Sequence, residues 1–416
     1  MKRKLLRQIA NEWRTNIWLA VELLIVSAVM WWLTDQLWVK YSIYHEPLGF
    51  DTEHCYRLTV SLLNEKSPDY HPYENDDQYF AEQAELIRRL ETRPEIEAVG
   101  QGVNSYFYNP SDSWQPLSID TLSNYYHKRW VTPGFIRVFR IEGANGETPD
   151  EMAQTLENMP WNSFMADANM LRYKYGVESM QPYVGKDFHS GNDSIQWRLT
   201  KVFKTLRYSD YRTAYNLPSF IMPLEGKSKY YANETVVRVR ENMDKDFAEN
   251  LMKDAVGNLR VGNWYIAAVD SFDTIRDQYN LSSEQDMRKT VLWSLFLLLN
   301  IFLGVLGTFW FRTSLRTPEI ALRMANGATR TDIFRRIVSE GEIILLAVTP
   351  ISIAICAAVA HYELNTYYWG VYFDWARFIG CSVITWALIA LMILVGSCLP
   401  ARKAMSVSPA EALKTE

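Results

Sequence analysis

The fold class is decided by an apolar stretch near the N-terminus, which reads IWLAVELLIVSAVMWWLTDQLWV from Ile17 to Val39. A bilayer core of ~30 Å needs about 20 apolar residues in a helix, and this stretch supplies them. A cleaved signal peptide would have a shorter apolar core and small residues at its cleavage site, whereas here Met30, Trp31 and Trp32 follow. We therefore predict an uncleaved first transmembrane helix over residues 17–39.

Three later stretches also meet the criterion for spanning a membrane, with almost no charge inside them. They are residues 289–311, 342–360 and 378–399. Pro350 in the third span is tolerated, because neighbouring helices can satisfy the carbonyl group that it frees. The remaining segments are residues 1–16, read as an interfacial helix, the long polar stretch 40–288, the segments 312–341 and 361–377, and the tail 400–416.

Composition excludes several classes of protein. The chain has 416 residues with 43 Lys and Arg against 48 Asp and Glu, a formal charge of −5, so it lacks the excess of basic residues expected of a nucleic-acid binder. Its four cysteines are too few to build a disulfide framework.

The distribution of basic residues predicts the orientation of the spans. Clusters of Lys and Arg precede the first span, occur in the segment 312–341 and follow the fourth span. The loop 361–377, in contrast, contains a single Lys or Arg residue, Arg377. The positive-inside rule then places both termini and the segment 312–341 in the cytoplasm. The polar stretch 40–288 must lie on the opposite side.

That polar stretch begins and ends with the same order of elements. A strand pattern at 56–62, a helical pattern at 80–91 and an extended run from Val99 form a first unit. A strand at 235–240, a helical pattern from Met243 to Leu259 and a strand at 264–269 form a second. We predict one α/β subdomain built from these two strand–helix–strand units, with a mostly β insert at about 105–230 between them. The fold class is therefore an α+β membrane protein with four transmembrane helices and a large extracytoplasmic domain.

The most specific stretch is Arg312–Ile337, RTSLRTPEIALRMANGATRTDIFRRI. Thr317 is expected to cap a helix that has Pro318 in its first turn, Gly327 to end that helix, and Thr331 with Asp332 to open the next. A rigid, basic helix-turn-helix between two spans suits docking to a cytoplasmic partner. The alternative is a basic loop that merely follows the orientation rule.

This stretch resembles the signature of MacB-like and FtsX-like permeases of ABC transporters, R-T-x-E-I-x-x-R-x-A-x-G-A-T/S-x-x-x-I. The matching residues are Arg316, Glu319, Ile320, Arg323, Ala325, Gly327, Ala328, Thr329 and Ile333. Asn326 departs from the pattern, where Leu is usual. The tail is similar to the closing signature of the family, with Pro400 to Ala404 followed by Pro409 to Leu413. Shorter runs at 131–139 and 184–189 resemble parts of the external domain of the family.

The resemblance implies a permease subunit without its own ATPase, in a bacterial inner membrane with its large domain in the periplasm. In that family two permeases, identical or different, pair, and two ATPase subunits with ATP and magnesium dock on the segment 312–341. Their motion passes through the first two spans to the external domain, a process called mechanotransmission. A periplasmic adaptor and an outer-membrane channel are further partners that this implies for export. We predict that the residues that dock the ATPase are Arg316, Glu319, Ile320, Arg323, Gly327, Arg330 and Phe334.

The other candidate sites give weaker evidence for a function. Glu22 lies inside the first span, where contact with a neighbouring helix or a partner subunit is favoured over a proton or ion role. Gly226-Lys227-Ser228 is no phosphate loop, because Ile221 stands where that motif needs a further glycine. The histidines and cysteines match no metal-site spacing, so we predict no metal and no catalytic residue.

Three functions remain open on these residues. The first is a MacB-type transporter permease that drives export from the periplasm or the outer leaflet. The second keeps the fold but regulates a cell-wall hydrolase, as FtsX-like proteins do, or releases lipoproteins. The third is a membrane-anchored sensor, against which the four spans and the docking motif both count.

Overall fold

The computed structural model of the chain describes residues 13–191, 195–215, 218–226, 229, 232–255, 258–365 and 373–405. The helices are α1 (Trp13–Tyr44), α2 (Asp76–Glu91), α3 (Pro133–Val138), α4 (Pro149–Glu157), α5 (Arg172–Tyr175), α6 (Phe247–Ala255), α7 (Phe272–Leu315), α8 (Thr317–Ala325), α9 (Arg330–His361) and α10 (Trp375–Met405). The strands are β1 (Cys55–Leu62), β2 (Ile96–Val103), β3 (Trp114–Ile119), β4 (Leu122–Val131), β5 (Ser163–Asp167), β6 (Asp187–His189), β7 (Gln196–Phe203), β8 (Ser219–Pro223), β9 (Glu234–Val239) and β10 (Trp264–Ser271).

The described residues form two compact units. The membrane unit contains those up to Ser42 and those from Glu284 onward, and the large domain contains Ile43–Ser283. Some of the predicted segments lie partly outside the described residues. These are the interfacial helix (residues 1–12), the loop between the third and fourth spans (366–372) and the tail (406–416), which contains the second half of the closing signature.

Among the described residues, four helices are long and apolar enough to cross a bilayer. They are α1, α7, α9 and α10, with mean hydropathies of 1.9, 2.1, 2.6 and 2.5 in their most apolar windows. The prediction of four spans is confirmed. Helix α7 runs unbroken from Phe272 to Leu315, so the predicted span 289–311 is the apolar part of a longer helix.

Polar contacts inside the membrane unit fix how its helices pack. Ser27 of α1 shares a hydrogen bond of 2.8 Å with Ser352 of α9. Asp35 of α1 is fully buried, where it pairs with Arg377 of α10 (Nε–Oδ1 3.0 Å) and accepts a hydrogen bond of 2.5 Å from Asn365. Because hydrocarbon offers no competing water, these contacts tie the first span to the third and fourth.

The large domain contains the predicted α/β subdomain. Its four antiparallel strands lie in the order β10-β1-β9-β2, and α2 and α6 provide the two crossovers. This is the split strand–helix–strand arrangement expected from the two similar units. The helical pattern predicted from Met243 is wrong at its start, because Met243 ends a separate 3₁₀ turn and α6 begins at Phe247.

The insert is a small closed β-barrel, which confirms its predicted β character. Its strands follow the order β4-β3-β6-β7-β5-β8, and β8 closes the ring by pairing in parallel with β4, His127 opposite Ser219. Aromatic and aliphatic side chains fill the interior, where Tyr126, Phe164 and Phe188 are fully buried. The barrel interior is thus packed core.

Barrel and subdomain share one continuous sheet. Strand β2 pairs with β4 through Gly102 opposite Val131 and Val103 opposite Trp130. Where the chain leaves for the insert and returns from it, Glu234 accepts hydrogen bonds from Ser105 N (2.7 Å) and Asn109 Nδ2 (2.6 Å). The insert is therefore joined to the α/β subdomain by backbone and side-chain contacts together.

A pH dependence of stability follows from His127 in β4. Burial, and then the charges of Arg129 and Arg212, hold the pKa of His127 well below its usual 6.5. The folded protein keeps this ring neutral, so its contribution to stability is complete above pH 6.5 and falls at lower pH, by about 1.4 kcal/mol per pH unit. We expect the melting temperature of the full chain in detergent to fall between pH 6.5 and about pH 5, and to fall less in His127→Phe.

The matched control is His189→Phe, which removes an exposed histidine from β6 of the same barrel. It should keep the wild-type pH dependence. An unchanged pH dependence in His127→Phe would contradict the assignment.

Candidate functional site

The segment between the second and third spans contains the short helix α8, with one turn before it and one turn after it. Pro318 and Glu319 lie in the first turn of α8, as predicted from their fit to a helix start. The predicted cap is wrong. Thr317 is already helical, and its hydroxyl donates to the carbonyl oxygens of Thr313 (3.2 Å) and Ser314 (3.0 Å), while Arg316 occupies the cap position.

The turn after α8 depends on Gly327. Its φ is +94°, a conformation that L side chains rarely adopt. The amides of Gly327 and Ala328 donate to the carbonyl oxygens of Met324 and Arg323, both at 3.0 Å, which is the hydrogen-bond pattern of a Schellman motif. Gly327 therefore ends the helix as predicted.

Helix α9 opens two residues earlier than the sequence indicated. Thr329, and not Thr331, is its N-cap, because the Thr329 hydroxyl accepts from Asp332 N at 3.2 Å. The Asp332 carboxylate accepts from Thr329 N at 3.1 Å in return. This capping box lowers the pKa of Asp332, through its hydrogen bonds with the Thr329 hydroxyl and amide. The start of α9 is thus held rigidly.

Two of the predicted docking residues point into the protein. Ile320 is only 8% exposed and packs in one apolar cluster with Phe309 and Ile333. Arg316 donates to Glu340 of α9 (Nη1–Oε2 3.0 Å). Phe334 is half-buried at the edge of the same cluster. These contacts hold α8 against α7 and α9.

Glu340 is the centre of a charged triad that sequence reasoning missed. Arg312 at the end of α7 donates to its other oxygen (Nη1–Oε1 2.8 Å), and the side chains of Arg312 and Glu340 are each 10% exposed. One carboxylate of α9 thus binds the end of α7 and the residue that precedes α8. The available signal was Glu340 at the head of the third span, with two arginines four residues apart, Arg312 and Arg316, before that span.

The other predicted residues lie outward. Glu319 pairs with Arg323 at 2.5 Å, and both side chains are about two-fifths exposed. Arg330 lies in the first turn of α9 and Arg335 lies in the next turn, and both are exposed. Within the described part of the chain neither arginine forms an ion pair. Together with Phe334 they form a basic surface with an aromatic residue at its edge, which we call the basic face.

Glu22 meets the second span. A Cβ atom added at Gly304 of α7 would lie 2.3 Å from Glu22 Oε1, so the carboxylate occupies the space that this glycine leaves. Among the residues that the structure describes, no group of three or more His, Cys, Asp and Glu side chains could hold a metal ion.

The comparisons with known proteins identify the C-terminal part of the chain. Residues 291–409 match the family model described as FtsX-like permease C-terminal. This part of the chain is therefore similar to the C-terminal part of FtsX-like permeases, which confirms the resemblance predicted from the signature that begins at Arg316. No curated protein sequence matches the chain.

Solved structures that resemble parts of the chain include two extracytoplasmic domains. The extracellular domain of the noncanonic ABC-type transporter YknZ from Gram-positive bacteria is 13% identical over 50% of this chain and 98% of its own, with a TM-score of 0.30. The periplasmic region of MacB from Actinobacillus actinomycetemcomitans is 11% identical over 57% of this chain and 97% of its own, with a TM-score of 0.33.

The triad predicts a large cost for neutralising Glu340. Glu340→Gln removes the carboxylate that Arg312 and Arg316 share, and breaking a pair as buried as that of Arg312 and Glu340 costs about 3 kcal/mol. We expect a clearly lower melting temperature for the purified full chain in detergent. Glu319→Gln removes a half-exposed pair of the same kind and should cost less than about 1 kcal/mol. Equal effects of the two variants would contradict a central role for the triad.

Proposed function

We propose that this chain is the permease subunit of an ABC transporter of the MacB type. It binds a separate ATPase at the segment 312–341 and passes the motion of that ATPase through its spans to the large domain, for export from the periplasm or the outer leaflet. The observation that carries the proposal is the permease match over residues 291–409, which includes the rigid, basic turn between the second and third spans.

The distribution of basic residues supports the orientation that this function needs. The basic clusters beside the first span, between the second and third spans and after the fourth favour a cytoplasmic location for all three regions. The large domain then lies in the periplasm of a bacterial inner membrane. A second permease subunit, identical or different, would complete the assembly.

The sequence also favours an ATPase on another chain. The motif Gly226-Lys227-Ser228 has Ile221 where a phosphate loop needs glycine, and it lies in the large domain, away from the proposed cytoplasmic side. The chain then supplies no catalytic group, and ATP and magnesium are held by the partner.

The basic face suits the docking of that ATPase. Arg330 and Phe334 lie one turn apart on α9, so they face the same way, with Arg335 beside them. Exposed arginines without internal ion pairs attract an acidic groove, and an aromatic side chain at their edge can anchor in it. Glu319 and Arg323 flank this face, whereas Ile320 and Arg316 hold α8 in place.

The triad supports transmission of force from this face. A displacement of α9 at its first turns acts on α7 and α8 through Glu340, because charge-assisted hydrogen bonds resist separation in a site shielded from water. Helix α7 continues without a break to Phe272, where β10 ends. Force on its end therefore acts along one helix.

Reversing the charge of the basic face should release the ATPase. The double variant Arg330→Glu with Arg335→Glu places two acidic groups against the acidic groove, and we expect at least about tenfold less ATPase to copurify, or about 1.4 kcal/mol. The amount of permease in the membrane should be unchanged. The measurement is quantitative mass spectrometry of the tagged chain, gently solubilised from its native membranes.

The control is Arg288→Glu with Lys289→Glu, which reverses two exposed charges of α7 before its apolar part. It should leave the ATPase bound. Normal copurification with the Arg330 and Arg335 variant would show that the ATPase docks elsewhere.

The same purification of the wild-type chain separates the competing functions. A stoichiometric ATPase together with an adaptor or an outer-membrane channel supports export. A cell-wall hydrolase in their place would identify an FtsX-like regulator, and a lipoprotein substrate a releasing permease. Recovery of the intact chain without any ATPase would overturn the proposal in favour of a sensor.

A further inference from the structure

The chain between β7 and β8 begins with residues 204–213, which lie at a junction of the large domain and which we call the junction loop. Two of its charged residues, Arg207 and Asp210, are each only 1% exposed. Charged groups removed from water are costly unless hydrogen bonds replace the solvent, and both side chains are hydrogen-bonded. The hydrogen bonds of the junction loop reach three different parts of the domain.

Arg207 holds the segment that follows the first membrane helix. Its guanidinium donates to the carbonyl oxygen of Glu46 at 2.5 Å, and its amide donates to that of Leu48 at 2.9 Å. Gly49 continues this contact, because a Cβ atom there would lie 2.0 Å from the carbonyl oxygen of Thr205, and its φ is +81°. The chain leaving α1 is thus bound closely to the junction loop.

Asp210 holds the first turns of α7. Its carboxylate accepts two hydrogen bonds from Arg276, at 3.0 and 2.6 Å, and a third from Asn280 at 2.5 Å. Burial raises the pKa of Asp210, but the hydrogen bonds from Arg276 and Asn280 outweigh it and leave the pKa below its ordinary value. Asp210 therefore binds α7 as a carboxylate, with the two-pronged geometry that resists both separation and rotation.

The barrel holds the other side of the junction loop. Asp167, the last residue of β5, accepts from Leu206 N at 2.9 Å, and the loop itself continues directly from β7. Within the loop the Arg207 guanidinium also donates to the carbonyl oxygens of Asp210 and Arg212. The two halves of the junction loop are therefore connected to each other and to the barrel.

We propose that the junction loop passes displacements of the chain after α1 and of α7 to the barrel, with Arg207 and Asp210 as its positioning residues. The inference rests on the proposed function, because it needs ATP-driven motion of the two helices. A shift of α7 acts on Asp210 through three hydrogen bonds, and the loop carries that shift to β5 and β7. A purely structural brace would stabilise the domain without moving the barrel.

The test measures a distance inside the large domain while ATP is hydrolysed. The full chain, copurified with its ATPase and placed in lipid nanodiscs, carries spin labels at Trp161→Cys in the insert and Leu281→Cys on α7, both exposed positions. Cys398, the one native cysteine that is not buried, is replaced by Ser. Double electron–electron resonance gives the distance between the labels with and without ATP and vanadate, and single-label samples identify distances between subunits.

Asp210→Asn and Arg276→Gln each remove the ion pair between Asp210 and Arg276. We expect the wild-type distance to shift with nucleotide and both variants to lose that shift while their ATPase activity persists. The double variant removes both charges, so it separates loss of the link from the cost of one unpaired buried charge. The matched control is Asp150→Asn, which neutralises an exposed acid that pairs with Arg137 on the surface of the same domain. In this control the distance between the labels should shift with nucleotide as in the wild type.

The outcomes distinguish the two proposals. If Asp210→Asn and the double variant shift like the wild type, even with lower melting temperatures, the junction loop is only a brace and the inference is overturned while the proposed function stands. If nucleotide leaves the wild-type distance unchanged although the ATPase copurifies, the inference is overturned while the proposed function stands, because the large domain can move as one body. If no ATPase copurifies, the proposed function is overturned and the inference with it.

Discussion

The structure of the membrane unit depends on one constraint: inside a bilayer, every polar group must find its partner within the protein. The spans contain few such groups, and those few set the arrangement of the helices. Asp35 meets Arg377 and Asn365, so the first span cannot slide along the fourth without leaving a carboxylate unpaired. Glu340 binds two arginines in the same manner at the other end of the unit. Apolar contacts alone would allow many more packings than these pairs permit.

Local patterns explain why much of the fold was predictable. Spans are recognised from about 20 apolar residues, and strands and helices from periods of two and 3.6 residues. The two similar strand–helix–strand units therefore indicated the α/β subdomain. Closure of the barrel was beyond such patterns, because β8 pairs with β4 and β5 with β7 in parallel, contacts between residues far apart in the chain. The helix caps were hard to predict for a similar reason. Threonine is a good N-cap wherever it precedes a helix, so the sequence alone does not tell that Thr329 caps α9 or that Thr317 lies inside α8.

The candidate site was predictable in position but only partly in the roles of its residues. The signature located the segment, and the orientation rule explained its basic character. Which face of α8 turns inward depends on what the ends of α7 and α9 present to it, and a nine-residue helix does not reveal that from its own sequence. Ile320 therefore stood beside Phe334 as a docking residue, although it packs in the core. Glu340 belongs to no local pattern at all, because its partners lie 28 and 24 residues earlier in the chain.

Helix α7 connects these observations. Near its start Arg276 is held by the carboxylate of Asp210, and at its end Arg312 is held by the carboxylate of Glu340. In both places the acid comes from another element and binds a second group besides the arginine, Asn280 in one case and Arg316 in the other. A helix that is hydrogen-bonded throughout is stiff along its axis, and these contacts fix the position of α7 near each of its ends. Ion pairs of this type add little net stability compared with apolar packing, which favours specific positioning as the reason why charged residues occupy these two sites.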